Sequence, residues 1–186
     1  MVWESYCRKG GRAMKASILD GKRILAVDDE PDVLTVLEEE ILDTCPRCRF
    51  EKATRFEEAC KLLESRSYDV VILDIMGVRG FDLLALAVSR NLKVVMLTAH
   101  VLTSGALKRS FEMRALAYLP KQKLGEITPF LEDALRYDFL SGWKRLMGKL
   151  GGFFSKLFGP EWEKKSHLLW DESKTIQFSS NKEGKR

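Results

Sequence analysis

Four short apolar runs punctuate the first two thirds of the chain, and each closes on a residue that carries chemistry. Arg23-Ile-Leu-Ala-Val27 leads into Asp28-Asp29-Glu30-Pro31, Val70 to Leu73 into Asp74, Lys93-Val-Val-Met-Leu97 into Thr98, and Ala117-Tyr-Leu119 towards Lys121. Runs this short and continuously apolar read as strands buried on both faces of a parallel sheet. A further short strand is predicted over about Arg49 to Ala53. Between the strands the apolar period changes to that of a helix. Val33, Leu34, Val36, Leu37, Ile41 and Leu42 follow Pro31, which suits a first helical position, and this helix stops near Asp43. Phe56, Ala59, Leu62 and Leu63 follow the candidate cap Thr54. A helix over Phe81 to Ser89 comes next, then one from the candidate cap Ser104 to about Met113 with Leu107 and Phe111 inward. The last of the series, Glu126 to Tyr137, buries Ile127, Phe130, Leu131, Ala134 and Leu135. Five strands alternating with five helices predict an α/β fold, with a parallel sheet, right-handed crossovers and helices on both sides.

After Asp138 the pattern changes again. Trp143, Leu146, Met147, Leu150, Phe153, Phe154, Leu157 and Phe158 repeat at helical spacing, Lys144, Arg145, Lys149 and Lys156 take other positions, and Gly159-Pro160 is a stop signal. This predicts a basic amphipathic helix over 139–160 and a polar tail over 161–186. Gly148, Gly151 and Gly152 each lower helix propensity by about 1 kcal/mol against alanine. Alone in water such a helix is marginal, so it is expected to dock. Its own domain or a twin subunit is the first expectation, a separate partner protein the second, and an anionic membrane surface the third. Nucleic acid is disfavoured, because the basic residues do not form a recognition helix and the remaining chain is short for a winged helix.

A chain of 186 residues, 45% hydrophobic and 31% charged, accommodates one globular core with extensions. The net charge of +4 is unevenly spread: Lys22 to Asp138 carries 17 basic and 20 acidic residues, net −3, and Phe139 to Arg186 carries 10 and 5, net +5. The basic character therefore lies outside the strand-and-helix series. Residues 1–20 are expected to be a disordered lead, with Met14 a candidate second start. No run is apolar enough for a signal peptide or membrane span, which predicts a cytoplasmic protein. Cys45-Pro-Arg-Cys48 invites zinc and redox readings. Zinc needs two further ligands, and Cys60 reads as core on the face of Phe56 and Leu63. A redox pair normally sits at a helix N-terminus. A plain loop is the expectation.

The strand ends matter together. Asp74 alone reads equally well as a helix cap. Four apolar runs that deliver an acid pair, an acid, a hydroxyl and an ammonium to one sheet edge are not required by core packing, and ligands bind outside the carboxyl ends of such strands. With Asp28/Asp29, Asp74, Thr98 and Lys121 in this order, the chain over about 21–138 resembles the receiver domain of two-component response regulators. The resemblance implies the flavodoxin-like strand order 2-1-3-4-5. It implies that Asp74 is the phosphoacceptor and that Mg²⁺ is held by Asp29, by Asp28 through water, by Asp74 and by the backbone carbonyl of Met76. Thr98 and Lys121 would contact the phosphoryl oxygens, and Tyr118 would be the ring that turns inward on activation. Two departures stand out: Gly77 occupies a place where proline is common, which puts the start of the next helix in question, and Pro120 precedes Lys121 where the family shows the reverse order. His100 reads first as a solvated loop residue; in receivers its position, like that of Met76, borders the route of attacking water and tunes the lifetime of the phosphoryl group.

The residue types suit that chemistry independently of any family. A carboxylate attacks a phosphoryl group only where the repulsion between two anions is neutralised, and Mg²⁺ prefers carboxylates, carbonyls and retained waters. The expected function is therefore a phosphorylation-controlled switch rather than an enzyme, taking its phosphoryl group from a sensor histidine kinase or a phosphotransfer protein and signalling to a downstream protein. Two rivals remain. One is a receiver-like binding module with an idle acid site that acts through its C-terminal helix. The other is an aspartate-nucleophile phosphatase, which would need an Asp-x-Asp pair that Asp28-Asp29 does not supply.

Overall fold

A computed structural model of the protein describes residues 17–99 and 103–159. The strands are β1 (Arg23–Val27), β2 (Arg49–Ala53), β3 (Val70–Asp74), β4 (Val94–Thr98) and β5 (Ala117–Pro120), and they form one parallel sheet in the order β2-β1-β3-β4-β5. β3 and β4 are buried along their whole length, as their unbroken apolar character requires. The register pairs Val27 with Leu73, Asp74 with Leu97 and Thr98 with Pro120, so the strands finish at one level and their successors emerge together.

The helices are α1 (Pro31–Thr44), α2 (Phe56–Ser65), α3 (Gly80–Ser89), α4 (Ser104–Glu112), α5 (Thr128–Arg136) and α6 (Phe139–Phe158), with a 3-10 helix over Lys121–Glu126. Three of these differ locally from the expectations above. The α4 cap is Thr103, whose hydroxyl accepts from Ala106 N at 3.0 Å, one residue before Ser104. Thr54 does not cap α2; Arg55 stands at that position, and the Thr54 amide donates to Glu58. The predicted helix from Glu126 begins instead at Thr128, with Pro129 in its first turn, and the residues before it wind as the 3-10 helix. Proline lacks the amide that would have continued a longer helix through this point.

Residues 17–20, expected to belong to a disordered lead, are ordered against the domain; the rest of that lead, like the expected tail over 161–186, lies outside the described residues. Ser17 to Asp20 form a turn in which Leu19 is fully buried, its carbonyl accepting from the Cys48 thiol at 3.0 Å, while Ser17 Oγ donates to Glu132 at 2.7 Å. The Cys45-Pro-Arg-Cys48 segment is a loop between α1 and β2 with both thiols buried. Burial pushes the Cys48 thiol up to about 12, the opposite of what a metal-binding or redox thiolate needs.

α6 lies on the domain itself, against β5, α4 and α5. Asp138 caps it, accepting from Ser141 N at 3.0 Å. Trp143, Leu146, Leu150 and Phe154 form its buried stripe. Trp143 is fully buried and donates its indole N–H to Ala115 O at 2.7 Å, with its ring edge-on to Phe111 at 5.4 Å. On the flank, Asp133 of α5 faces Arg145 at 3.1 Å and Lys149 at 2.7 Å. Met147, Phe153 and Phe158 are partly buried against the core, whereas Leu157 is exposed.

Candidate functional site: an acidic pocket at the carboxyl edge

Each strand end contributes a side chain to one pocket. β1 runs out into Asp28, β3 ends on Asp74 and β4 on Thr98, and all three are buried. Lys121 follows β5 directly and reaches back across the edge. Its Nζ stands 2.8 Å from Asp28 Oδ2, 3.2 Å from Asp74 Oδ1 and 2.8 Å from Glu30 Oε1. The other Asp28 oxygen accepts from the Glu30 amide at 3.0 Å. Asp29 is exposed at the rim, and a carboxylate oxygen from each of Asp28, Asp29 and Asp74 falls within 4.8 Å of the others.

Burial raises the carboxyls of Asp28 and Asp74 above the usual range. For Asp28, Lys121 opposes that rise; for Asp74, the nearby Asp28 charge adds to it and Lys121 again opposes it. Burial pulls the Lys121 ammonium the other way, towards the neutral form, but its carboxylate partners outweigh this and the pKa is raised overall. Two buried acids sharing one ammonium leave negative charge only partly answered. Asp28 Oδ2 is buried with the Lys121 ammonium as its charged neighbour at 2.8 Å, and Thr98 is buried at the adjoining strand end. Hard oxygen donors, clustered and short of positive charge, fit a divalent cation such as Mg²⁺.

A family model for the response regulator receiver domain matches residues 24–130, over half of the chain. The chain belongs to the response regulator receiver family. Its curated relative, a two-component response regulator of Arabidopsis thaliana, is 40% identical over 87 residues, which is 43% of this chain and 13% of that protein. The chain thus spans about an eighth of the length of the curated relative it matches. Among solved structures, the receiver domain of a DNA-binding response regulator from Colwellia psychrerythraea is 25% identical, with a TM-score of 0.51 over 54% of this chain and 86% of its own. The response regulator domain of Thermotoga maritima CheB shares the fold, at 22% identity and a TM-score of 0.54 over 63% of this chain and 98% of its own.

Other residues of this receiver take their places around the pocket. Tyr118 of β5 is fully buried; burial lifts its phenol to about 12, against a smaller downward pull from the Thr98 hydroxyl beside it. Met76 exposes its side chain, and its carbonyl accepts from Val78 N in a tight turn. His100 lies outside the described residues.

Three residues gain importance that the sequence pattern only hinted at. Glu30 is a partner of Lys121, although its place in the run Asp28-Asp29-Glu30 was the one available sign. Gly77 has φ +37°, and a Cβ there would stand 2.0 Å from Asp29 Oδ1. Gly80 opens α3 so close to β3 that a Cβ would stand 1.9 Å from the Asp74 carbonyl oxygen. At Gly77 the backbone lies against the exposed Asp29 carboxylate, which would have to swing away from any side chain placed there. Arg79 turns the chain into α3 from the left-handed region at φ 54°, its guanidinium 4.2 Å over the Phe56 ring.

Proposed function

We propose that the protein is a phosphorylation-controlled response regulator that accepts a phosphoryl group on Asp74 from a sensor histidine kinase or phosphotransfer protein, and signals by contact with a downstream protein. The observation that carries this is Lys121 Nζ held between Asp28 at 2.8 Å and Asp74 at 3.2 Å, with Asp29 completing an acid cluster at the rim. Such a cluster is not needed to hold the sheet together, and it is costly unless a cation or an anion-transfer reaction uses it.

The chain's own groups divide the work. An Asp74 carboxylate oxygen attacks phosphorus, the bond from phosphorus to the donor breaks, and the donor leaves with that electron pair. Lys121 stabilises charge on the equatorial phosphoryl oxygens, and the Thr98 hydroxyl, buried at the neighbouring strand end, donates to another. Asp28, Asp29, Asp74 and the Met76 carbonyl would hold Mg²⁺, which when bound neutralises the repulsion between carboxylate and phosphate. Once Asp74 is phosphorylated, the acyl phosphate carries about −1.5 to −2 in place of the carboxylate's single charge and draws Thr98 and Lys121 towards it, while Tyr118, expected to turn inward, already lies fully buried beside the Thr98 hydroxyl. Lys121 must then loosen its hold on Glu30, so the β5 end and the Glu30 loop respond together.

Incubation with acetyl phosphate and Mg²⁺ followed by intact-mass measurement tests the reading. The expected result is a gain of one phosphoryl mass, removed by EDTA pretreatment and absent in Asp74→Asn. A folded wild-type protein that gains no mass from this donor or from a histidine kinase would overturn it.

A further inference from the structure

We propose that the amino-terminal edge of the sheet carries a second binding site, a cleft between the α3–β4, α4–β5 and α5–α6 connections that takes a small aromatic carboxylate. The cleft encloses about 360 Å³, in the range of small-molecule sites, and lies at the opposite end of the strands from the acid pocket. A cavity of about 290 Å³ adjoins it across Asn91 and Lys93. Two cations line the cleft, and neither forms an ion pair with an acid among the described residues. Lys93 is half-buried, and its Nζ donates to the Leu135 carbonyl at 2.7 Å, which uses one of its three N–H groups. Burial holds this ammonium below its usual range and the Lys22 charge adds to the shift, with Asp69, itself paired to Lys22 at 2.9 Å, opposing. Arg114 lays its guanidinium 4.8 Å over the Phe139 ring. Asp138, also on the lining, is engaged as the α6 cap, accepting from Ser141 N at 3.0 Å and Ser141 Oγ at 2.7 Å. The set is short of negative charge.

The backbone points the same way. Arg79, Asn91 and Arg114 are the non-glycine residues with positive φ among the described ones, and the last two both line the cleft, at φ 58° and 70°. Each follows the cap of a helix, α3 and α4 respectively. Asparagine tolerates that left-handed position, whereas arginine is strained there and glycine would not be. Arginine at this turn therefore brings a guanidinium to the cleft at a backbone cost that glycine avoids, and such outliers gather where ligands bind. The class of ligand follows from the lining. A carboxylate accepts from both an ammonium and a planar guanidinium. A doubly charged phosphate would be opposed by Asp138 and Asp69, which border the two cavities, so a monoanion fits better. Tyr137 and Phe139 offer ring surface to a flat apolar body.

The test is a titration of the full chain with 2-naphthoate, followed by NMR of the backbone N–H groups in EDTA and without a phosphoryl donor, so the outcome does not depend on Asp74. The expected result is saturable shifts over residues 88–93, 114–116 and 137–139, with a dissociation constant below about 1 mM and at least about tenfold tighter than for the neutral 2-naphthamide. Lys93→Met and Arg114→Gly should each weaken binding about tenfold, whereas the control Lys61→Met, at an exposed position on α2, should not. Arg114→Gly relieves the strained turn, so its loss of binding is read in a folded protein. No saturable binding up to about 5 mM, equal binding of acid and amide, shifts confined to the carboxyl edge, or affinity retained in either variant would overturn the proposal. Inorganic phosphate that displaces 2-naphthoate at equal concentration would overturn the carboxylate as its ligand class.

Discussion

At the carboxyl edge of the sheet, Asp28 and Asp74 are buried side by side with Lys121 between them, whereas across β5 the α6 helix buries Trp143, Leu146, Leu150 and Phe154 among apolar neighbours. The first region concentrates charge where burial opposes it; the second removes apolar surface from water and satisfies the indole N–H. The two therefore respond to substitution in opposite ways. Relieving the first should strengthen the fold and destroy function, while trimming the second should weaken the fold and leave phosphoryl chemistry in place.

The largest effect is expected at Asp74. Asp74→Asn removes the proposed nucleophile, so phosphoryl mass gain should fall to background, and it also removes a buried like charge beside Asp28. Thermal unfolding without divalent ions should then occur at or above the wild-type temperature. A variant both inactive and markedly less stable would mean that the Asp74 carboxylate holds the fold together, and the contrast between the regions would fail.

Trp143→Ala is the mirror image. It opens a cavity under α6 and leaves Ala115 O without its donor, for a loss of about 3–5 kcal/mol in urea unfolding. Phosphorylation of the folded variant by acetyl phosphate should persist. Next in size is the cation itself: Mg²⁺ at about a hundred times its dissociation constant should stabilise wild type by about 2.7 kcal/mol, and EDTA should abolish the gain. The same addition should do little for Asp28→Asn or Asp74→Asn.

β5 joins the two regions, and its titration is a gentler probe. Tyr118 ionises at about 12 in the fold against an ordinary 10.0, so the fold favours the protonated phenol. That contribution is whole below pH 10.0 and is lost as pH rises from there to about 12. The difference in phenolate absorbance between wild type and Tyr118→Phe, followed with circular dichroism, should show Tyr118 still protonated while the sheet is intact; a difference that appears near pH 10 without unfolding would show that the phenol is open to water.

The two regions were also unequally legible. Strand ends could be read because an apolar run that stops on a charge must stop at the sheet edge, so Asp28, Asp74 and Lys121 declared themselves. α6 was visible as an amphipathic period from Trp143 to Phe158, but its seat was not, because period gives a face and not the surface that covers it. Phe111 read as an inward residue of α4, but nothing in the local pattern marks it or Ala115, 32 and 28 residues upstream, as the seat of Trp143. The caps failed for a similar reason: Thr103 and Ser104 are chemically alike neighbours, and backbone geometry alone chooses between them. Gly77 and Gly80 were legible as glycines, but the Asp29 carboxylate and the Asp74 carbonyl that a Cβ would meet are tertiary neighbours.

Glu30 is where the smallest effect is expected, and it sharpens the contrast most finely. Its side chain is 59% exposed while that of Lys121 is 10% exposed, so the same ammonium forms one pair open to water and two buried ones. Water screens the first pair, and Glu30→Gln should change unfolding free energy by less than about 1 kcal/mol. Its effect on chemistry should run the other way from that of Asp74→Asn. With one competitor gone, Lys121 is freer to follow the phosphoryl oxygens, and the phosphorylated form should accumulate at least as fast as in wild type. A large loss of stability in Glu30→Gln would place Glu30 inside the buried charge cluster; a loss of phosphorylation with stability intact would make it the residue that orients Lys121 towards Asp74.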